Sequence, residues 1–283
     1  NNTYYYKATA FRKNFQKVND EYVNLDFGGL NEIATIDMYL RYTSIQITLD
    51  IEHALKARLI NIITADHTED GYSIIQEFDD YLKNKLIETK ENFKPHKYKK
   101  IAKSIMLRSN QEDSYHFEMF EKRKDNPPIW VLIELMSYGE LIRFIEFYYE
   151  KDKFNKKRFE LAYILLKYTS NYRNAAAHSR PLLLNITNMG ELVPNELVTK
   201  YASESHIDKL VRKERLSNKK IHDFICILIL HHTYIESEAM RKNRKKQLEW
   251  LVTRTLLRKE YFNNDVDMRV IQDVFSKIVD NYS

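Results

Sequence analysis

Apolar residues recur along this chain with the period of an α-helix. The clearest run places an apolar side chain at every fourth position: Ile47, Ile51, Leu55, Leu59 and Ile63. Because residues four apart lie on one face of a helix, this run predicts a long helix over about 31–64. The same period predicts further helices over about 72–91, 129–138, 140–150, 155–170, 205–215, 218–236, 237–261 and 267–281.

Few residues interrupt these patterns, since the chain contains five Gly and five Pro. Pro127 and Pro128 predict the start of the helix that follows them, and Gly139 predicts its break or cap. Pro181 predicts the end of the helix before it, and residues 190–194 predict an irregular connection. With no repeat and no clear linker, the sequence predicts a single all-α domain over residues 1–283.

The lone cysteine and the lack of long apolar stretches indicate in which cellular compartment the protein is found. Cys226 lies in the apolar run 224–230, which predicts a buried thiol and excludes a disulfide within the chain. No stretch reaches the roughly 18 to 20 uncharged residues that cross a bilayer, and the N-terminus lacks the apolar core of a signal peptide. We therefore expect a cytoplasmic protein without a membrane partner.

Basic residues are clustered although the net charge is only +5. Three runs stand out, at 94–103, 151–158 and 241–246, and Tyr98 and Phe154 add aromatic rings to the first two. These runs predict RNA contacts by Lys97, Lys99, Lys100, Lys156, Lys157, Arg158, Arg241, Arg244 and Lys245. The alternative is that each run merely solvates an exposed helix face.

Residues 173–178 read RNAAAH and combine two groups that can handle a phosphate. Arg173 offers a fork of donors that matches phosphate oxygens, and His178 can exchange protons near neutral pH. Both suit metal-free RNA cleavage by the 2′-hydroxyl, and the alanines between them keep the segment helical while leaving room for a close neighbour. On an ideal helix, however, Arg173 and His178 lie about 140° apart. They would converge only if Arg173 began the helix or if a second copy lay opposite; a structural role for both residues is the alternative.

The other histidines do not predict a metal site. His222, His231 and His232 fall on one predicted helix, but no cysteine or carboxylate completes a zinc pattern around them. We therefore expect no metal and no cofactor, and we interpret His231 and His232 as the end of a core-facing stretch. Trp130 and Trp250 are interpreted as packing residues.

Three blocks of the sequence resemble known families. Residues 173–180, RNAAAHSR, resemble the R-x-x-x-x-H signature of HEPN-domain ribonucleases, including the Asn that commonly follows the arginine. Residues 36–59, IDMYLRYTSIQITLDIEHALKARL, and residues 126–141, NPPIWVLIELMSYGEL, resemble the Abi family of phage abortive-infection proteins, of the Abi-D and Abi-F type. The blocks occur in the family's order and cover most of residues 30–185.

This resemblance implies a fold and a set of site residues. It implies a HEPN-like helical bundle with a core over about 30–185, and C-terminal helices over about 200–283 that either complete the bundle or form a separate layer. It also implies an RNase toxin that is restrained by a structured non-coding RNA or another antitoxin until infection releases it. Arg173 and His178 would be catalytic, Asn174 would orient the phosphate or the motif, and Glu52 would hold the arginine. An ion pair unrelated to catalysis is the alternative for Glu52.

The motif departs from its relatives in one respect and is single in this chain. Relatives often continue with a second histidine and an R-L-W-N-like tail, whereas Ser179, Arg180 and Pro181 follow His178 here. Arg180 is a candidate phosphate contact, or simply a surface arginine. Since HEPN ribonucleases typically combine two motifs, the resemblance predicts a homodimer in which the two His178 side chains act as base and acid. The competing hypotheses are a catalytically silent RNA-binding or regulatory module and a helical protein-interaction domain.

Overall fold

The computed structural model describes residues 8–23, 25–89, 94, 96, 98–262 and 265–282. Within these residues the chain is helical apart from its connections and one antiparallel hairpin, β1 (Lys17–Val18) paired with β2 (Glu21–Tyr22). Asn19 and Asp20 form the turn with φ of 51° and 65°, as a type I′ turn requires. The prediction of an all-α protein is confirmed.

Residues 8–10 are α-helical. The α-helices that follow are, in chain order, α1 Phe27–Ala65, α2 Ser73–Thr89, α3 Ile101–Leu107, α4 Phe117–Arg123, α5 Ile129–Leu135, α6 Tyr138–Glu150, α7 Glu160–Ala177, α8 Glu196–Glu204, α9 Lys209–Arg215, α10 Lys219–Tyr234, α11 Glu238–Leu257 and α12 Val266–Asn281. Short 3-10 helices occupy Phe11–Asn14, Lys156–Phe159 and Lys259–Tyr261. The predicted stripe on α1 is buried from Ile47 to Ile63, as its spacing indicated.

The chain divides into two compact units. The first unit comprises residues 1–51 and 168–283, and the second comprises residues 52–167. The motif at 173–178 therefore lies in the first unit, and the helices α8 to α12 belong to that same unit. The single domain over residues 1–283 stays a prediction.

Helix α10 forms the centre of the first unit. Every residue from Ile221 to Leu228 is buried, on all sides of the helix, as expected for a helix enclosed by others. Helix α8 packs against α10 and α12, and α11 packs against α12. Cys226 is buried in α10, which confirms its prediction as a core thiol, and burial raises the pKa of that thiol.

The second unit has an aromatic core. Phe78 of α2 meets Phe144 and Phe147 of α6, with ring centroids 5.0 and 5.3 Å apart. Tyr148 of α6 packs edge-on against Phe159 at 5.5 Å. Such tilted and edge-to-face arrangements favour contact between the positive edge of one ring and the negative face of another. They join α2, α6 and the turn that precedes α7.

The break between α5 and α6 lies before Gly139. Helix α5 ends at Leu135, and Ser137 is the N-cap of α6. The carboxylate of Glu140 accepts a hydrogen bond from Ser137 N at 2.8 Å and pairs with both terminal nitrogens of Arg108 at 2.8 and 2.7 Å. Burial raises the pKa of Glu140, but the bonds from Arg108 and Ser137 outweigh it and hold this pKa below its usual value. The prediction that Gly139 breaks or caps the helix was wrong, because Ser137 and Glu140 form the helix start.

The C-terminal helices also differ in their bounds from the predicted ones. The helix predicted over 205–215 begins at Lys209, and α8 lies in the segment before it. Asn195 and Asp208 cap these two helices, each accepting a bond from the amide two residues later. His206, with φ of 56°, separates them.

We expect Gly139→Ala to increase the free energy of unfolding by about 0.5–1 kcal/mol, because alanine favours the helix. A Cβ at this position would meet no atom within 4 Å. Gly71→Ala is the matched control in the same unit, since Gly71 has a φ of +79° and its Cβ would lie 2.5 Å from a ring atom of Trp130. Urea denaturation measures both variants. A similar loss of stability in the two would contradict the helical placement of Gly139.

Candidate active site

The motif occupies the C-terminal end of α7. Arg173 and Asn174 lie in its last turns, and His178 follows its final residue, Ala177. Arg173 is half-buried, whereas the side chains of Asn174 and His178 are exposed. The Arg173 Nη1 atom lies 3.4 Å from Asn174 Oδ1. Because Arg173 is far from the start of α7, the hypothesis that it begins the helix and reaches forward to His178 was wrong.

A Schellman turn ends α7 before Pro181 is reached. Ser179 adopts a φ of 54°, and its amide donates to Ala176 O at 3.3 Å. The amide of Arg180 donates to Ala175 O at 2.8 Å. These two bonds are the pair that defines the Schellman motif, in which the residue after the helix end turns left-handed. The prediction that Pro181 ends this helix was therefore wrong, and His178 lies on the turn that ends it.

The alanine run has one buried and one open side. Ala176 is buried and Ala177 is exposed, next to the exposed His178. The small side chain of Ala177 adds little bulk beside the imidazole. The surface of the helix end at His178 is therefore open to a large neighbour.

A buried carboxylate of α1 binds the loop that follows the motif. Asp37 Oδ1 accepts hydrogen bonds from the amides of Leu182 and Leu183 at 2.6 and 2.8 Å. Its other oxygen pairs with Arg41 Nε at 2.8 Å. These interactions are made inside the first unit, where two amide donors and a guanidinium compensate the burial of the carboxylate. Asp37 thereby connects the first helix to the chain segment that leaves the motif.

Asp37 was not among the predicted site residues, although its position in the sequence carries a signal. Asp37 falls between Ile33 and Leu40, on the apolar side of α1, with Arg41 one turn later. A carboxylate on the buried side of a helix requires partners, so this position indicates a structural contact. The predicted site residue of α1 was Glu52 instead.

Four more side chains bind the backbone of the same loop. Asn14 donates to Leu183 O at 2.8 Å and accepts from the amide of Ile186 at 2.9 Å. Asn218 donates to Asn188 O at 2.8 Å. Arg215 and Lys220 complete the set, donating to the carbonyls of Thr187 and Leu184. The backbone amides and carbonyls of an irregular loop have no regular hydrogen-bond partners within the loop. The bonds from these side chains therefore fix the conformation of the loop.

An apolar cavity of about 90 Å³ lies inside the first unit, under this loop. Ile36, Tyr172, Leu182 and Phe224 are among its lining residues. Lys220 also borders it, and burial lowers the pKa of this lysine while the charge of Asp37 opposes the shift. A polyanion requires donors and cations, so an apolar cavity does not suit RNA. We place the candidate active site at the exposed end of α7 and not in this cavity.

A family model described as Abi-like protein matches residues 1–183 of the chain. The chain belongs to the Abi-like protein family. Membership of this family suggests a role in abortive infection. No curated protein and no solved structure matches the chain. The matched part of this Abi-like protein includes Asp37 and the whole motif and ends at Leu183, inside the loop that Asp37 binds.

Glu52 of the Abi-like protein lies in the second unit, where it forms an ion pair. Its Oε1 atom lies 3.1 Å from Lys56 Nζ. Lys56 also donates to Met136 O at 2.7 Å. This geometry matches the ion-pair alternative for Glu52, and its role toward Arg173 stays a prediction.

Among the described residues of the second unit, the predicted RNA contacts are exposed, apart from Lys156. Lys99, Lys100, Lys157 and Arg158 are exposed. Lys156 pairs with Asp152 at 2.9 Å, which raises the pKa of the lysine and lowers that of the aspartate. Lys97 lies outside the described residues.

Three residues of the third basic run bind other groups of the protein. Arg244 Nε pairs with Asp50 Oδ2 at 2.7 Å, Lys245 Nζ donates to Asp280 O at 3.1 Å, and Arg241 donates to Ile235 O. Arg180, in contrast, is exposed beside the motif. Arg241, Arg244 and Lys245 therefore have structural contacts, and their predicted contact with RNA stays a prediction.

His231 is buried in a polar network of the first unit. Its Nε2 atom lies 3.2 Å from Asp50 Oδ2, and its Nδ1 atom lies 2.6 Å from the hydroxyl of Tyr282. Burial lowers the pKa of His231 although Asp50 opposes this shift. Burial raises the pKa of Asp50, but bonds from His231 and Arg244 outweigh it, so this pKa lies below its usual value. The buried imidazole is thus structural, whereas His232 is exposed.

Two further features are absent from the part of the chain that the structure describes. No group of three or more His, Cys, Asp or Glu side chains is arranged there to hold a metal ion. Among the same residues, no helix combines the length and the apolar character that crossing a membrane requires.

We expect Asp37→Ala to lower the free energy of unfolding by about 2–4 kcal/mol, because the buried amide of Leu182, the half-buried amide of Leu183 and Arg41 lose their acceptor. The matched control is Asp273→Ala, which removes the exposed Asp273–Lys277 pair of α12, also four residues apart at 2.7 Å. The control should cost less than about 0.5 kcal/mol. Chemical denaturation of both variants checks this, and equal costs would show that Asp37 does not support the loop.

We expect the stability of the protein to fall as the pH drops below about 6.5. The folded chain keeps His231 neutral, whereas the unfolded chain protonates it, so acid favours unfolding until the pH passes through the lowered folded pKa. Thermal midpoints of the wild type and His231→Gln, measured between about pH 7.5 and 5, test this. The variant should show the shallower pH dependence. Equal slopes in wild type and His231→Gln would contradict the assignment.

Proposed function

We propose that this Abi-like protein is a metal-independent endoribonuclease of abortive infection, in which Arg173 and His178 form half of a composite active site. A second copy of the chain supplies the other half. The observation that carries the proposal is the exposed imidazole of His178 at the end of α7, just after Arg173 and Asn174. Such a side chain can reach the backbone of an extended RNA, which a buried histidine such as His231 cannot.

The proposed reaction includes two proton transfers, one to a histidine and one from a histidine. His178 of one copy accepts the proton of the 2′-hydroxyl, and the 2′-oxygen attacks the adjacent phosphorus. The bond to the 5′-oxygen breaks, and the protonated His178 of the second copy gives that oxygen its proton. Arg173 stabilises the charge on the non-bridging oxygens, and Asn174 orients the arginine or the phosphate. The products are a 2′,3′-cyclic phosphate and a 5′-hydroxyl.

Helix geometry supports two copies in the site. Arg173 and His178 lie about 140° apart on an ideal helix, so the two side chains of one α7 point in different directions. A second α7 opposite the first would bring an arginine of one copy near a histidine of the other. The exposed Ala177 leaves room for that approach. Restraint by a non-coding RNA or another antitoxin, which would keep this site from forming or from receiving substrate, belongs to the same proposal.

We expect His178→Ala to lower RNA cleavage by at least about 100-fold, because the general acid and base are both removed. Nucleic-acid-free wild type and variant are incubated with a mixed RNA pool in the presence of chelator, and the product ends are mapped. His116→Ala is the matched control, since His116 is exposed and its side chain makes no capping bond at the start of α4. The wild type and this control should leave 2′,3′-cyclic phosphates. Equal cleavage by His178→Ala would refute the catalytic role.

Mixed dimers test the composite site directly. When wild type and His178→Ala are refolded together in equal amounts, about a quarter of random dimers contain two wild-type copies. Activity should therefore fall to about a quarter and not to half. A fall to half would mean that each copy acts alone. RNA binding without any cleavage by the wild type would favour the silent RNA-binding module.

A further inference from the structure

Three aromatic side chains form a continuous exposed surface on the first unit. Tyr39 and Tyr42 of α1 are 38% and 55% exposed, and Trp250 of α11 is 45% exposed. The rings of Tyr39 and Trp250 meet edge-on with centroids 4.8 Å apart, and Tyr39 and Tyr42 are 6.4 Å apart. We call these three residues the aromatic platform. The interpretation of Trp250 as a packing residue was thus incomplete, because nearly half of its surface faces solvent.

The platform lies on the side of α1 opposite to the loop that follows the motif. Tyr39 and Tyr42 follow Asp37 by two and five residues, which places both rings roughly 140–200° around the helix from the carboxylate that binds the loop. Farther along α1, Leu49 is also exposed. The platform is therefore a surface separate from the R-x-x-x-x-H motif.

Ion pairs hold the two helices of the platform together. Arg254 of α11 binds Glu32 of α1 through two bonds of 2.5 and 3.0 Å, and its guanidinium lies 5.6 Å from the Trp250 ring centroid. Nearer the start of α11, Arg244 pairs with Asp50. These two ion pairs lie on either side of the rings along both helices and hold the rings in fixed positions, which lowers the entropy lost when a ligand stacks on them.

Lysines continue the platform along α11. Lys242, Lys246 and Trp250 follow one another every four residues, and all three are exposed. They span about 12 Å of one helix face. Lys242 also pairs with Glu238 at 2.6 Å, but both side chains are largely exposed, so this pair is weak. Helix α11 contains six basic residues and two acidic ones, Glu238 and Glu249.

We propose that the aromatic platform, together with Lys242 and Lys246, binds single-stranded RNA without sequence preference. Bases stack on the exposed rings of Tyr42 and Trp250, and the phosphates that follow lie along the two lysines. Lysine is depleted in the centre of protein–protein interfaces, so lysines beside exposed rings favour a nucleic acid over a protein. The inference rests on the proposed function in one respect, because RNA is the target in both.

RNA binding by the full chain tests the platform apart from cleavage. Fluorescence anisotropy of a labelled, unstructured RNA oligonucleotide is measured with His178→Ala as the reference, so that the RNA stays intact. Adding Tyr42→Ala and Trp250→Ala should weaken binding by about 10- to 100-fold. Trp250→Phe should keep most of the affinity, since it keeps an aromatic face. Tyr115→Ala, which removes a fully exposed tyrosine of the second unit, is the matched control and should change nothing.

Salt dependence tests the lysines. Lys242→Gln combined with Lys246→Gln should reduce the slope of log affinity against log salt by about 0.7 for each phosphate that a lysine no longer neutralises. The matched control is Lys209→Gln, another exposed lysine of the first unit. An unchanged slope would remove the lysines from the proposed surface.

Three outcomes overturn the proposal or separate it from nuclease activity. Unchanged RNA affinity in the folded Tyr42→Ala, Trp250→Ala protein overturns it, whether or not the wild type cleaves RNA. A change in sedimentation without a change in RNA affinity also overturns it, because the platform would then be an interface between copies. Binding that depends on the rings, in a wild type that does not cleave, would support the platform and refute the proposed nuclease.

Discussion

The candidate site depends on the interaction between the carboxylate of Asp37 and the loop that follows the motif. The carboxylate binds two consecutive amides of the loop after the motif, and its partner Arg41 lies on the same helix. Because a buried carboxylate is stable only with its donors in place, the loop cannot leave α1 without exposing or orphaning this charge. This contact holds the loop that follows the motif against α1. Asn14 and Asn218 add bonds to the same loop.

Residues of the same type perform different tasks in this molecule according to their burial. His231 is enclosed by Asp50 and Tyr282 and stabilises the fold, whereas His178 is exposed at a helix end. Arg244 neutralises Asp50, whereas Lys246, two positions later, faces solvent. Helical rotation of about 100° per residue explains the second contrast, because neighbours in one basic run point to different sides. A run of basic residues therefore does not by itself define a binding surface.

Two surfaces of the first unit carry features that suit RNA. One is the end of α7, where a Schellman turn at Ser179 presents His178. The other is the pair of helices α1 and α11, which exposes Tyr42 and Trp250. In the proposed reaction the first surface would supply the groups that exchange protons and bind a phosphate, and in the proposed interaction the second would supply the rings on which bases stack. Chemistry and retention of a substrate would thus be assigned to different residues of one unit.

The sequence by itself determined the helical class, the long first helix and the RNAAAH motif, because these depend on local spacing and residue type. It misplaced the break at Gly139 and the helix end at Pro181, since the Ser137–Glu140 cap and the turn at Ser179 act before either residue is reached. Only the tertiary structure revealed the contact of Asp37 with a loop about 145 residues away in the chain. It also distinguished the paired arginines of α11 from its exposed lysines and its half-exposed tryptophan. Whether a side chain is paired or exposed depends on which side of its helix packs against another helix. The sequence of one helix does not specify where the neighbouring helix lies.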